Sequence, residues 1–139
     1  MRRAGGWEHD FFRVESFRVI TDEIGGRAFT TEATVKVHVG EQRIVSTAEG
    51  NGPVNALDKA LRQAIGPRYP ALANVHLTDY KVRVLDTAKG TGAVTRVLLD
   101  STDGDHSWST IGVSDNIIEA SWQALSDSIV FGLLKAEGT

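Results

Sequence analysis

The sequence predicts an α+β fold made of a duplicated βββα unit, with antiparallel sheets and two helices. Two observations carry this. Several short segments alternate apolar and polar side chains at the period of a half-buried strand. Two helical stretches also recur at a constant spacing: Ala56, Ala60, Leu61 and Ile65 fall on Ala120, Ala124, Leu125 and Ile129, each 64 positions on. Upstream, Phe17-Arg18-Val19 resembles Tyr80-Lys81-Val82, and Lys36-Val37 resembles Arg96-Val97, with the small drift in spacing that loop-length changes produce.

The elements follow in order. Residues 12–21 are rich in Phe, Val and Ile and read as a strand. Residues 33–39 alternate, with Val35, Val37 and Val39 on one face and Lys36 and His38 on the other. A short connection, Gly40-Glu41-Gln42, leads to a third strand over 43–48. Gly50-Asn51-Gly52-Pro53 then breaks the strand and opens a helix, because proline at the first helical position sacrifices no hydrogen bond. Val54, Leu57, Leu61, Ala64 and Ile65 form its apolar stripe, Asp58 and Arg62 pair at i,i+4 on the outer side, and Gly66-Pro67 stops it. Residues 67–74 link the halves.

The second half repeats the order. Residues 77–85 alternate, with Val82 and Val84 opposite Lys81 and Arg83. Residues 93–99 form the next strand, Asp103-Gly104-Asp105 a turn, and 107–113 the third strand. Ser114 or Asp115 is expected to cap the last helix. In that helix Ile118, Ser121, Trp122, Leu125, Ile129 and Leu133 share one face, and Glu119, Gln123, Ser126 and Asp127 the wet one.

Composition narrows the function classes. The 139 residues are 41% hydrophobic and 24% charged, which suits a folded globular chain rather than a disordered one. A formal charge of −3 argues against a general nucleic-acid binder. With no cysteine, thiolate metal sites, disulfides and cysteine nucleophiles are excluded. No apolar run approaches the roughly 18 residues of a membrane span, and the opening residues lack the apolar core of a signal peptide. The expectation is a cytoplasmic protein with no membrane partner.

Catalytic chemistry finds little support. His9, His38, His76 and His106 lie far apart without metal-ligand spacing, so no metal site is expected. No phosphate-binding Walker loop occurs. Asp105-His106-Ser107 has the residue types of a hydrolytic triad, but neighbours on a strand point to opposite faces and cannot form the relay. Three glycine-containing stretches are more telling. Residues 48–55 set a flexible loop before a helix N-terminus, whose N–H groups and dipole can hold a carboxylate; a tight strand-to-helix turn uses the same residues. Residues 89–93, Lys-Gly-Thr-Gly-Ala, admit close backbone approach to a ligand or a plain hairpin. Residues 112–116 occupy the corresponding place in the second half, where a helix cap is the simpler reading.

Glu49-Gly-Asn-Gly-Pro-Val-Asn-Ala56, with Asp79-Tyr80, Gly90-Thr-Gly-Ala93 and Thr95-Arg96-Val97, resembles the C-terminal regulatory domain of the 2-isopropylmalate and citramalate synthase family. The resemblance runs from about Phe17 to Leu134. The second helix entry, Gly-Val-Ser-Asp-Asn-Ile-Ile-Glu-Ala-Ser-Trp, looks more like citramalate synthases, and Asn55 stands where the isopropylmalate branch more often has Asp. The resemblance implies a dimeric domain that binds a branched-chain amino acid, isoleucine in the citramalate branch and leucine in the other. It implies a feedback signal to a catalytic TIM-barrel domain elsewhere in the parent chain, an acetyl-CoA-dependent acyltransferase. It implies no catalysis and no cofactor in the domain itself. On this reading residues 1–11 are an N-terminal arm, and 12–139 are the regulatory domain, with repeats over about 12–66 and 75–135.

Carried over by motif, the binding residues are Gly50, Gly52, Pro53, Val54 and Asn55 at the first helix entry. Leu77, Asp79 and Tyr80 come from the strand opening the second repeat, Thr91, Gly92 and Ala93 from the glycine loop, and Ile117 from the second helix entry. An amino acid needs an anion site, an acceptor for its ammonium and an apolar slot. Helix N–H groups, Asp79 or carbonyls, and Val54 with Leu77 and Tyr80 are expected to supply them. The rival readings are a ligand-free dimerisation module, a small enzyme and a nucleic-acid reader.

Overall fold

A computed structural model of the protein describes residues 2–3, 6–7, 11–24, 28–86 and 93–137. After two short strands, Arg2–Arg3 and Gly6–Trp7, come β1 (Arg13–Ile24), β2 (Ala28–Val39), β3 (Gln42–Gly50) and α1 (Pro53–Ile65). A 3-10 turn, Pro70–Asn74, leads to β4 (His76–Asp86), β5 (Ala93–Thr102), β6 (Ser107–Ser114) and α2 (Ile117–Glu137). The chain divides into two compact units, in the main residues 8–70 and 71–139. Each holds a three-stranded antiparallel sheet, β1-β2-β3 or β4-β5-β6, with its own helix on one face. The βββα order expected twice is present twice.

In the first unit the alternation of β2 decides which face is covered. Ala33, Val35, Val37 and Val39 are buried, while the intervening residues are half-exposed. α1 lays Leu57, Leu61 and Ile65 on that face, all fully buried; each such side chain contributes about 1.5–3 kcal/mol by leaving water. Asp58 and Arg62 form their i,i+4 pair at 2.8 Å, but both are half-buried rather than on an open outer side. Gln63 ties the helix to β3 by donating to the Thr47 carbonyl at 3.0 Å. Gly40, at φ +61°, makes the two-residue turn between β2 and β3.

The last residue of the expected N-terminal arm is part of this core. Phe11 and Phe12 are buried. The Tyr69 hydroxyl donates to the Phe11 carbonyl at 2.6 Å, and the two rings meet edge to face at 5.5 Å. Tyr69 is itself held by its N–H on the Ile65 carbonyl at 3.1 Å, so the chain entering β1 is pinned to the end of α1.

A bulge interrupts the β1–β2 pairing between Val14 and Ser16, and Glu15 sits in it. Its carboxylate takes two bonds from Arg43 on β3, at 2.8 and 3.1 Å, and lies 3.0 Å from His38 Nε2 on β2. One carboxylate thus joins all three strands. The Arg43 bonds, then the His38 contact, hold its pKa down from an ordinary 4.5 to about 2. A depressed carboxylate stabilises the fold above its unfolded pKa, and that contribution is lost as pH falls through the folded value. Acid titration followed by circular dichroism should therefore show stability declining between about pH 4.5 and pH 2. Glu15→Gln should flatten that segment of the curve; an unchanged curve would mean the triad contributes nothing.

The second unit differs in three ways from the pattern expected. α2 is buried almost all round, not along one stripe. Asp127, expected on the wet face, is 8% exposed, and Val130 is buried as well. On the side toward the sheet, small residues allow a close approach. Gly112 lets β6 approach the helix at Ala120 and Ala124, and Ser128 bonds Ser101 on β5 at 2.5 Å while its carbonyl accepts from Trp108 Nε1 at 3.2 Å. Second, Val82 and Val84 do alternate with Lys81 and Arg83, but they remain 38% and 61% exposed on the edge strand β4. The cap also moves by one residue. Asn116, not Ser114 or Asp115, caps α2, its Oδ1 accepting from Ile118 and Glu119 at 2.8 and 3.2 Å, while Ser114 Oγ accepts from Asn116 N–H. No helix among the described residues is long and apolar enough to cross a membrane.

Candidate ligand-binding site

The first helix entry gathers five of the expected residues in one continuous run, from the end of β3 into the first turn of α1. Gly50 closes β3 opposite Thr31. It is the tight point of the turn: a Cβ there would collide with Asn55 Oδ1 and lie 2.6 Å from the Ala56 nitrogen. Asn55 is occupied locally, its Oδ1 accepting the Asn51 N–H at 3.1 Å, which folds the loop back on the helix. Gly52 is the N-cap residue. Its backbone is extended at φ −175°, and its carbonyl accepts the first helical bond from Ala56 at 2.9 Å. A Cβ on Gly52 would meet nothing within 4 Å. Pro53 follows at the start of the helix, and Val54 is buried beneath it.

The two helix entries differ in one respect that bears on anion binding. Asn116 fills the N-terminus of α2 with its own side chain. No side chain caps α1, and no acidic residue lies in its first turn. The N–H groups of a first turn carry partial positive charge and need acceptors. At α1 they open beside the clear space over Gly52.

In the second unit the expected residues separate. β4 carries a bulge between Leu77 and Asp79, so Leu77 pairs with Ser101, Asp79 with Asp100 and Tyr80 with Leu99. Strict alternation would set Leu77 and Asp79 on one face. The bulge instead puts Leu77 and Tyr80 on the helix-covered face and Asp79 on the outer one. Asp79 is engaged there, accepting the Tyr80 N–H at 2.8 Å and lying 3.6 Å from Lys81 Nζ. Ala93 pairs with Asp86 at the other end of the ladder. Seven residues of strand separate Asp79 from Asp86, about 23 Å at about 3.3 Å per residue. Ile117, 40% exposed, follows β6 at the Ala93 end. Within this sheet a single amino acid cannot touch Leu77 and Ala93 together. Thr91 and Gly92 lie outside the described residues.

Two features were not legible as site features. Ser121 Oγ is fully buried with no hydrogen-bond partner, the only such side-chain atom among the described residues. Gly112 lies in the strand expected over 107–113, and its close contact with a helix is the new feature; a glycine inside a strand pattern is the one available signal of such an approach. Among the described residues no cluster of His, Asp and Glu has the makings of a metal site.

Residues 1–132 match the LeuA allosteric (dimerisation) domain. The chain belongs to that family. It is 52% identical over 133 residues to an (R)-citramalate synthase of Streptomyces coelicolor, a match that covers 96% of this chain and 25% of the relative. An (R)-citramalate synthase of Synechocystis sp. is 51% identical over 96% of the chain and 25% of the relative. A 2-isopropylmalate synthase of Shewanella woodyi is more distant, 30% identical over 85% of the chain and 20% of the relative. The chain thus spans about a quarter of the length of the citramalate synthases it matches. The LeuA-domain residues that form the α1 entry, Gly50 to Asn55, all lie inside the matched span.

Proposed function

We propose that this chain is the regulatory domain of a citramalate synthase and that isoleucine is its ligand, acting as a feedback inhibitor of branched-chain amino-acid synthesis. The observation that carries the reading is the uncapped entry of α1 beneath the open space at Gly52, in a chain 52% identical to an (R)-citramalate synthase over 133 residues. The ligand carboxylate accepts from the first-turn N–H groups, and Val54 borders its side chain. Leu77 and Tyr80, on one face of β4, form the apolar wall of the second unit. Ala93 and Ile117 belong to the opposite end of that sheet, and Asp79 lies on its outer face. The domain performs no chemistry and holds no cofactor. A catalytic acyltransferase barrel in the parent chain answers the signal, in the cytoplasm.

We also propose a homodimer. Tyr80, Val82 and Val84 leave apolar surface uncovered on the edge strand β4, where a second copy would shield it. The similarity to 2-isopropylmalate synthase favours leucine as the second reading.

A ligand that binds only the folded protein raises its melting temperature by mass action. Melting curves with isoleucine, leucine, valine and alanine at equal concentration, backed by calorimetry, should rank isoleucine first. Relocating one methyl in an apolar slot discriminates by only about 1–3 kcal/mol, so leucine should bind more weakly rather than not at all. A larger shift with leucine reassigns the ligand. Flat traces with all four leave a dimerisation module without a ligand.

A further inference from the structure

The outer faces of the two sheets, those turned away from the helices, carry equivalent rows of opposite charge. One row below the helix-entry end, the first sheet reads Ile20, Glu32, Glu49 across β1, β2 and β3. The equivalent row of the second sheet reads Arg83, Arg96, Val113 across β4, β5 and β6. Each row sets two like charges directly opposite one another, an arrangement that destabilises a sheet. Among the described residues, none of Glu32, Glu49, Arg83 and Arg96 has an ion-pair partner. Each row ends in an exposed apolar residue, Ile20 at 37% and Val113 at 48%.

We propose that these faces dock between copies, the first sheet of one chain on the second sheet of another. Both units share one strand order with the helix on one side, so laying one outer face on the other with helix-entry ends aligned reverses the order of strands. β6 then lies over β1, β5 over β2 and β4 over β3. Val113 covers Ile20, Arg96 meets Glu32 and Arg83 meets Glu49. Two rows further on, the same register sets Asp100 of β5 over Lys36 of β2 and Ser109 over Ser16. The row between is uncharged on the central strands, Thr34 against Leu98. Opposite signs therefore coincide at three places in one register, and each unfavourable pair within a sheet finds its counter-charges in the other. Sheets stacked in this way lie about 10 Å apart, close enough for arginine and glutamate side chains to meet. The contact joins unlike faces, so it either closes on itself or continues to further copies. It goes beyond the amino-acid reading, needs no ligand, and is separate from the homodimer proposed at the β4 edge.

Charge reversal tests it on the 139-residue chain. Glu32→Arg with Glu49→Arg makes both outer faces basic at this row; Arg83→Glu with Arg96→Glu makes both acidic. By light scattering across concentration, wild type should gain mass beyond any dimer at low salt and lose it at high salt, where exposed charges are screened. Each double variant alone should self-associate at least about tenfold more weakly. An equimolar mixture of the two should regain the mass, because an acidic face now meets a basic one. Circular dichroism confirms that each variant is folded, and if either is not, the milder Glu32→Gln and Arg96→Gln variants should each weaken association by a smaller factor. A wild type that gains no mass beyond a dimer, variants that associate as wild type does, or a mixture no heavier than its components overturns the contact. The homodimer is read separately, as the mass that persists in both variants; its absence there would not touch the sheet contact.

Discussion

Gly112→Val should unfold the second unit at ordinary temperature or lower its stability by about 3 kcal/mol or more. Gly112 pairs with Val97 in the sheet and faces α2. A Cβ on it would overlap the Ala120 carbonyl oxygen, and would lie 2.9 Å from the carbonyl carbon and 3.0 Å from the Ala124 nitrogen. All three are helix backbone, so no side chain can rotate away. The strand and helix would have to part, and that separation also strains the Thr110 hydroxyl bond to the Ala124 carbonyl at 2.7 Å. Even alanine should be costly here, because the clash begins at Cβ. Thermal and urea denaturation followed by the fluorescence of Trp108 and Trp122 would measure it. A Gly112→Ala protein as stable as wild type would mean that α2 has room to slide.

Gly52→Val should leave the fold intact and weaken ligand binding by roughly two orders of magnitude, about 2.7 kcal/mol. The backbone at Gly52 is extended, a conformation valine adopts readily, and the space over it is clear. A branched side chain there would stand where the proposed carboxylate approaches the first turn of α1. Gly50→Ala is the informative partner. Its Cβ would strike Asn55 Oδ1 and the Ala56 backbone, so it should destabilise the first unit whatever the ligand does. Affinity by calorimetry and melting temperature, taken together, separate the two positions. Unchanged affinity in a folded Gly52→Val protein would place the ligand elsewhere. Two glycines two residues apart in one motif are thus expected to fail for different reasons, one from crowding and one from openness.

The repeat pattern made the architecture legible in advance. Val35, Val37 and Val39 announced the covered face of β2, and Leu57, Leu61 and Ile65 the stripe of α1, because period 2 and period 3.6 report burial directly. The site was less legible. A bulge adds one residue to a strand without any strong composition signal, and the one on β4 moves Asp79 to the face opposite Leu77 and Tyr80. Capping depends on where the first helical turn begins, and a one-residue difference gave Asn116 the role expected of Ser114 or Asp115. The wet face expected for α2 failed at Asp127 because the helix is buried on more sides than its one apolar stripe, which periodicity alone does not register. The separation of Leu77 from Ala93 is a matter of pairing register, invisible until the strands are aligned.

The bond from Tyr69 to Phe11 has a kinetic consequence. Within the first unit every strand pairs with its neighbour in sequence, so the sheet closes through short loops and forms early. The Tyr69 hydroxyl must instead find a carbonyl 58 residues away, a closure that gains nothing until β1 and α1 are already in place. A closure of that span is expected late in folding, and its loss early when the chain is pulled from its amino-terminal side. Together with the buried Phe11 and Phe12 rings, such a late contact would bear on how long the entrance to β1 stays shut more than on how fast the unit assembles.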